Sequence, residues 1–432
     1  MTTAARHGAT RRPAGVSGAD TARMDTSVPQ LRGPDGDGAM RPREAAPPDG
    51  TRSARGAAAS HDAAAARVLL LSAAHPPADT RVVRKEGAAL VAAGFDVLHL
   101  GPGDTDAPAQ VDGVRILTHR HRRLRGLLAL ARDAAALRPD AIHASEPDAW
   151  LAALLAARRC GARVVLDVHE HYPSRLDARL PAWLRPVASA AIARACSWMG
   201  RAADAVVVAK DGLDAPFAGA RLVAVRNYAP APVVPPRAHA AGPVTLVHLG
   251  ALGRARGWAQ MLDALALGSP ATRLLLVGRF TDGSEDAFRT RAAALGLADR
   301  IEVTGWLPQD AALARLRGAD IALVLFQRGE ENHRLALPHK LFDAMAAGLP
   351  VIAPVFAEEV AQVVRTAGCG LLVETGDAAA VAQAVAALAD PTRRAAMGAA
   401  GWQAARTRFA WEAEAARLVA LHRDLAARRP AV

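Results

Sequence analysis

Several short stretches of the chain gather side chains whose types and spacing suit chemistry. In LPHKLFDAMAAGLPVIAP (337–354), Lys340 and Asp343 stand three residues apart on a predicted helix and share a face. The helix starts just after a strand, where free N–H groups favour an anion. Lys340 suits a phosphate and Asp343 suits ribose hydroxyls; a surface ion pair is the competing reading. In HLGALGRARGW (248–258) a strand enters a glycine-rich turn that holds Arg254 and Arg256. The arginine fork matches phosphate oxygens, and Gly250 permits close backbone approach. The spacing Gly250, Gly253, Gly257 is not G-x-G-x-x-G, which argues against a dehydrogenase. LDVHEHYPSR (166–175) concentrates Asp167, His169, Glu170, His171 and Tyr172 after another strand. Two His and a carboxylate invite a zinc reading, but the pattern is not H-E-x-x-H and is not on a helix. In AAHPPADTRVVRKEGAAL (73–90), Asp79 and Thr80 suit a helix cap, while His75 and Arg81 are expected to face a ligand. Gly278 ends the strand in VGRF, where a nucleotide could approach the backbone closely.

These residues need a scaffold that collects strand ends. From residue 66 onward, Val/Leu-rich runs of strand length alternate with helical patterns, the signature of parallel sheets covered on both faces. APAPVVPPRAHAAGP (229–243) interrupts the alternation, since proline blocks helix and sheet pairing, and reads as a linker. The expected organisation is α/β. A disordered tail rich in Ala, Gly, Pro and Arg covers 1–65. Two Rossmann-like domains cover 66–235 and 236–410 and face a central cleft, and a helix over 411–432 is placed to cross back to the first domain. In such sheets ligands bind beyond the carboxyl ends of the strands, where most of the residues above fall. The helical region after Pro391 is expected to run on with Trp402, Phe409, Trp411, Leu418, Leu421 and Leu425 as one apolar face.

Residues 338–352 closely match the form P-x-K-x-x-E-A-M-A-x-G-x-P-V-I. With that match the chain resembles retaining glycosyltransferase family 4, which has the GT-B fold. The resemblance extends over about 66–428. It implies an N-terminal acceptor domain and a C-terminal domain for a nucleotide diphosphate sugar. It implies that Arg254, Arg256 and Lys340 grip the diphosphate, with Gly250 and Gly278 on the donor side. Asp343 would hold the ribose and His169 would face the donor sugar. His169, Lys340 and Arg256 are the expected catalytic residues; His75, Arg81 and Glu170 are expected on the acceptor side of the cleft. No metal or other cofactor is implied, because side-chain cations can replace it. Two departures stand out. The family's first acid, eight residues before Asp343, falls on Leu335, and the first loop lacks the Gly-Gly pair of many members. Glu330, Glu331, Asn332 and His333 lie nearby as substitutes.

Composition bounds the rest. Lys+Arg is 53 and Asp+Glu is 42, so the net charge is +11 and the expected partners are anionic. Aromatic residues are not interleaved with the arginines, which argues against nucleic acid. The three cysteines, Cys160, Cys196 and Cys369, form no C-x-x-C or Cys/His cluster, which fits a reducing compartment. No uninterrupted apolar run is long enough to span a bilayer, so a cytoplasmic location is expected, with contact at the inner membrane face open. HRHRRLRGLL (119–128) is the densest basic cluster and suits either anionic lipid or a solvated helix start. Asp104 and Asp106 read as a turn rather than a metal motif. Three functions stay open. The first is a glycosyltransferase acting on a surface glycan, glycolipid or metabolite acceptor. The others are a nucleotide-sugar 2-epimerase and a non-catalytic scaffold on the same fold.

Overall fold

The computed structural model describes residues 65–428 apart from Arg123. The tail read over 1–65 lies, all but its last residue, outside the described residues. The first lobe contains β1 (Arg67–Leu71), β2 (Asp96–Pro102), β3 (Gln110–Val111), β4 (Val114–His119), β5 (Ala141–Ala144), β6 (Arg163–Val168), β7 (Ala205–Val208) and β8 (Leu222–Ala224). They pair in the order β3-β4-β2-β1-β5-β6-β7-β8. The second lobe contains β9 (Thr245–Leu249), β10 (Arg273–Val277), β11 (Ile301–Gly305), β12 (Ile321–Leu323), β13 (Val351–Pro354) and β14 (Gly370–Val373), paired as β11-β10-β9-β12-β13-β14. The pairing is parallel except between β3 and β4.

In chain order, α1 (Ala88–Ala92), α2 (Leu127–Ala136), α3 (Pro147–Cys160) and α4 (Arg185–Ala202) belong to the first lobe. The second carries α5 (Trp258–Leu267), α6 (Glu285–Ala294), α7 (Gln309–Arg317), α8 (Glu331–Arg334), α9 (His339–Ala347), α10 (Glu358–Ala367), α11 (Ala378–Ala387) and α12 (Pro391–Thr407); α13 (Trp411–Ala427) follows. The strand runs are apolar throughout because both faces are covered. Leu69 and Leu71 face a core with α2, α3 and α4, while Val68 and Leu70 face one with α1 and α13. Fully burying each such side chain contributes roughly 1.5–3 kcal/mol. Trp150 of α3 is fully buried, and its indole N–H donates to the Ala144 carbonyl (2.9 Å), which removes the cost of an unpaired donor.

Three local features differ from the sequence reading. The chain between β2 and β4 includes an extra strand, β3, joined to β4 through Asp112 (φ 48°) and Gly113 (φ 83°), a two-residue hairpin with both φ positive. The helix expected after the Asp79–Thr80 cap is a π-helical turn, Val82–Gly87, followed by the short α1. The wider turn leaves Lys85 and Glu86 both buried. The expected long C-terminal helix is two helices, α12 and α13. They break at residues 408–410, where Trp411 N–H donates to the Ala229 carbonyl (2.9 Å). Trp402 accordingly leaves the predicted apolar face, and its indole donates to the Val234 carbonyl (2.8 Å). Trp411, Leu418, Leu421 and Leu425 of α13 pack onto the first sheet.

Candidate functional site

In each sheet the first strand, β1 or β9, lies inside the strand order, and the chain reverses direction beside it. Crevices open at such switch points, beyond the strands' carboxyl ends. The loops concerned follow β1 and β5 in the first lobe and β9 and β12 in the second. The loops after β1, β9 and β12, with those after β6 and β7, line a cavity of about 580 Å3. Its first-lobe lining includes His75, Asp79, Arg81, His169, Glu170, Lys210 and Asn227; its second-lobe lining includes Arg256, Phe326, Glu330, Asn332, His333, His339 and Asp343.

The first-lobe wall is an ion network. Arg81 is almost fully buried, and its Nη2 lies 3.0 Å from Asp167, 2.8 Å from Glu86 and 3.1 Å from the Val225 carbonyl. Burial works against the charge of Asp167, but Arg81 and His169 outweigh it and hold the carboxyl below its usual range. Burial dominates at Glu86 and pushes its carboxyl up. His169 Nε2 donates to Asp167, which fixes the tautomer and turns the other ring nitrogen away. The His75 ring meets the His169 ring edge-on at 5.1 Å, and His75 Nδ1 donates to Asp79 (2.9 Å). Burial opposes protonation of His75, yet Asp79, Glu146 and Asp167 raise it to about 9. Glu146 accepts from Ser72 Oγ (2.7 Å) and from the backbone N–H groups of Ala73 and Ala74, tying down the loop after β1. Among the described residues Glu86, His143 and Asp167 bring ligand-type atoms within 4.8 Å of one another, but the Arg81 cation is bonded to two of the three.

The second-lobe wall is cationic. In α9, Leu341, Phe342, Ala344 and Met345 are buried, which turns His339, Lys340 and Asp343 outward. Gly348 ends the helix at φ 75°, where a Cβ would sit 2.5 Å from Pro236. Lys340 reaches back beneath the turn after β9. Its Nζ lies 3.0 Å from His248 Nε2 and within 3.7 Å of the Cβ position of Gly250. Burial, with Arg256 nearby, lowers the Lys340 ammonium to about 7. Arg256 and Lys340 both lie over the Phe326 ring, at 4.9 and 5.9 Å. Asp343 accepts from His339 Nδ1 (2.9 Å).

Several expected residues sit elsewhere. Arg254 does not line the cavity. It is exposed, its guanidinium lies 5.3 Å over Trp258, and its backbone N–H donates to Asp282 (2.7 Å). Gly278 and Gly250 face each other: a Cβ at Gly278 (φ 153°) would sit 1.9 Å from the Gly250 carbonyl, so this glycine admits neighbouring backbone. Leu335 is buried in the first-lobe core and packs on Gly212, whereas Glu330, Asn332 and His333 line the cavity. Glu170 is half exposed and pairs with Arg175 (2.5 Å). Asn227 accepts from Lys85 (2.6 Å), so that lysine tethers the end of the first lobe. Lys210, lowered by burial to about 8, also lines the cavity. Its place just after β7 is the signal that marks it.

Comparison with known proteins fits this arrangement. The family described as Glycosyl transferases group 1 matches residues 235–403, and the Glycosyl transferase 4-like domain matches residues 79–217. Phosphatidyl-myo-inositol mannosyltransferase of Mycobacterium leprae is 33% identical over 187 residues, 42% of this chain and 47% of that protein, so the match spans about half of the relative's length. Sucrose-phosphate synthase of Thermosynechococcus elongatus superposes with a TM-score of 0.68 at 20% identity, over 84% of this chain and 100% of that one. Anabaena HepE in complex with UDP gives 0.62 at 17%, over 83% and 100%. These two likenesses concern the fold, two parallel-sheet α/β lobes of GT-B type. With both lobes matched by their family descriptions, the chain belongs to the group 1, family 4-like glycosyltransferases.

Proposed function

We propose that the chain moves a glycosyl group from a nucleoside diphosphate sugar to an acceptor hydroxyl. The observation that carries this reading is the pair Arg256 and Lys340 at the switch point of the second sheet, two cations over the Phe326 ring; Arg256 and Phe326 line the cavity opposite His169, and Lys340 lies beneath the turn after β9 rather than in that lining. Neither has a carboxylate within ion-pairing distance among the described residues. A diphosphate there would supply the missing anion, and both cations would stabilise the charge that grows as it leaves. Asp343, held by His339, is the acceptor for ribose hydroxyls, and His169, aimed by Asp167, orients the sugar. The bond from the anomeric carbon to the diphosphate breaks as the acceptor oxygen bonds to that carbon, and the acceptor proton passes to the departing diphosphate. Attack on the face the diphosphate leaves retains configuration, and the side-chain cations take the part a metal would play. Lys210 and His75 extend the positive lining toward the acceptor side. Surface glycan, glycolipid and small metabolite acceptors all fit this chemistry. A peripheral site at the inner membrane face is part of the proposal; no helix among the described residues is long and apolar enough to cross a membrane.

Thermal-shift titration with UDP, GDP, TDP and ADP tests this on the wild type and on Lys340→Ala. A ligand that binds only the native state raises the melting temperature. A shift with one nucleotide, lost in the variant, is expected; UDP is the first probe because the HepE structure holds it. No shift with any of the four would overturn the reading. The gathering of His75, Asp79, His169 and Glu330 around one cavity also favours a 2-epimerase. Consumption of the nucleotide sugar without release of nucleoside diphosphate would select it. Nucleotide binding without turnover on any acceptor would select the scaffold.

A further inference from the structure

Half of the basic residues in the cluster at 119–128 are engaged with the protein itself. His119 is buried against the Ser72 carbonyl, Arg120 pairs with Asp104 (3.1 Å), and His121 pairs with Asp133 (2.8 Å). A different surface is apolar, basic and open. Trp183, just before α4, is 74% exposed, and Val187 and Trp198 on α4 are 67% and 50% exposed. Val187, Ala191, Arg194, Trp198 and Arg201 recur at alternating four- and three-residue steps, so they form one stripe of the helix, and all five are exposed. The opposite face, with Cys196, Met199 and Gly200, is buried. From Arg179 to Ala203 the chain holds four arginines and no Asp or Glu.

We propose that α4, led by Trp183, lays the first lobe on the surface of an anionic lipid bilayer, with Trp183 and Trp198 set among the acyl boundary and the arginines at the phosphates. Large apolar side chains left in water on one helical stripe mark an interaction surface. Tryptophan between apolar and wet surroundings, with arginine beside it and no acid, matches an interfacial helix lying in the plane of the membrane. The charge selects the occupant. A second copy pressing the same face would set its arginines against these, whereas anionic headgroups neutralise them. The fold adds a reason for the position. A cavity of about 520 Å3 continues from the cleft past His75, His169 and Tyr172 to Arg179, four residues before Trp183. A helix that follows a parallel strand also begins at the strand's carboxyl edge, so the N-terminal end of α4 lies on the cleft side of the lobe. The lipid surface would thus lie beside the mouth of this second cavity, which shares His75 with the acceptor side proposed above. Only this last step rests on the transferase reading.

The test is sedimentation of the full chain with vesicles of phosphatidylcholine alone and of phosphatidylcholine and phosphatidylglycerol in equal parts. Wild type, Trp183→Ser/Trp198→Ser, Arg185→Gln/Arg194→Gln and Arg120→Gln/Arg125→Gln are compared. Expected are binding to the mixed vesicles that weakens with salt, a loss of about tenfold or more in partitioning for the first two variants, and little change for the third. Undiminished binding of the tryptophan variant overturns the proposal. So does a larger loss in the third variant than in the first two. A concentration-dependent dimer in vesicle-free sedimentation that the tryptophan variant abolishes assigns the face to a second copy instead. The UDP thermal shift is recorded on every sample. Retained shift with lost vesicle binding supports the docking face, and retained vesicle binding without any shift overturns only the transferase reading.

Discussion

The two walls of the cleft use charge in opposite ways. In the first lobe Glu86, Arg81, Asp167, His169, His75 and Asp79 neutralise one another through short contacts, most of them buried. In the second lobe Arg256 and Lys340 face each other as like charges over Phe326, and the Lys340 ammonium is pushed down to about 7. A wall that balances its own charges is built to hold side chains still. A wall that carries uncompensated cations is built for an anion that arrives from outside. The comparison therefore assigns orientation to the first lobe and binding of the charged leaving group to the second. Substitutions should separate the two: stability should suffer on one side and turnover on the other.

The largest effect is expected in the first lobe. Arg81→Met leaves Asp167 and Glu86 buried without their cation, and breaking such a group typically costs about 3–5 kcal/mol. Urea unfolding would show it, and a variant with the wild-type midpoint would end the idea of a self-balanced wall. Next comes Lys340→Ala. Loss of a positioned charge at a departing anion lowers turnover by roughly 10²–10³-fold. The same variant should unfold at or above the wild-type urea concentration, because it removes a cation that the folded state holds beside Arg256. Release of nucleoside diphosphate in the presence of acceptor measures the first effect. Turnover within a few-fold of wild type would remove Lys340 from the assignment.

Much of the scaffold was legible because β1, β6, β9 and β13 are buried on both faces, which favours runs dominated by Val, Leu and Ile. Arg256 was open to reading for a related reason, since it follows a strand that the pattern reveals; Lys340 and Asp343 sit on α9, which follows α8 and not the expected strand, so their reading came from the 338–352 motif alone. The misses have local causes. The Asp112-Gly113 turn carries a hairpin signal, but a strand of two residues has no periodicity to read. The π-helical turn over Val82–Gly87 depends on Lys85 meeting Asn227 and Tyr228, far along the chain. Arg81 and Asp167 were each visible as polar residues beside strands, yet their bond spans 86 positions and follows from the strand order. Leu335 reads as a lost acid, but in the fold it is an apolar clasp on the first lobe. His248 was hidden inside β9, a strand that looked purely structural, whereas Lys210 just after β7 stood where a site residue is expected.

The cationic wall also sets a pH dependence. With the Lys340 ammonium at about 7 in the free protein, nucleotide binding above pH 7 must take up a proton. Affinity for UDP should therefore fall as pH rises from 7 toward 9, by up to about tenfold per pH unit for one proton. His75 in the opposite wall, raised to about 9, keeps its proton through most of this range, whereas Lys210, lowered to about 8, adds its own part toward pH 9, so the Lys340 slope is read between pH 7 and 8. Calorimetry across this range would show the slope, and Lys340→Arg, which cannot lose its charge, should flatten it. A slope that survives in Lys340→Arg would place the titrating group elsewhere.

The smallest effect tests whether geometry or motif decides a role. Arg254 and Arg256 are two residues apart in one turn, and both match the basic pair expected at a diphosphate. Only Arg256 lines the cavity; Arg254 lies over Trp258 on the outer side of the turn. An exposed cation–π contact is worth about 0.5–1 kcal/mol. Arg254→Ala should thus lower stability by no more than that and leave the UDP dissociation constant within about threefold, since an exposed charge acts on the site only through screened solvent. Arg256→Ala should weaken UDP by about tenfold or more through loss of a charge-assisted bond. Equal losses in the two variants would mean that the turn rearranges on binding and brings Arg254 inward, and the second wall would then be built from three cations rather than two.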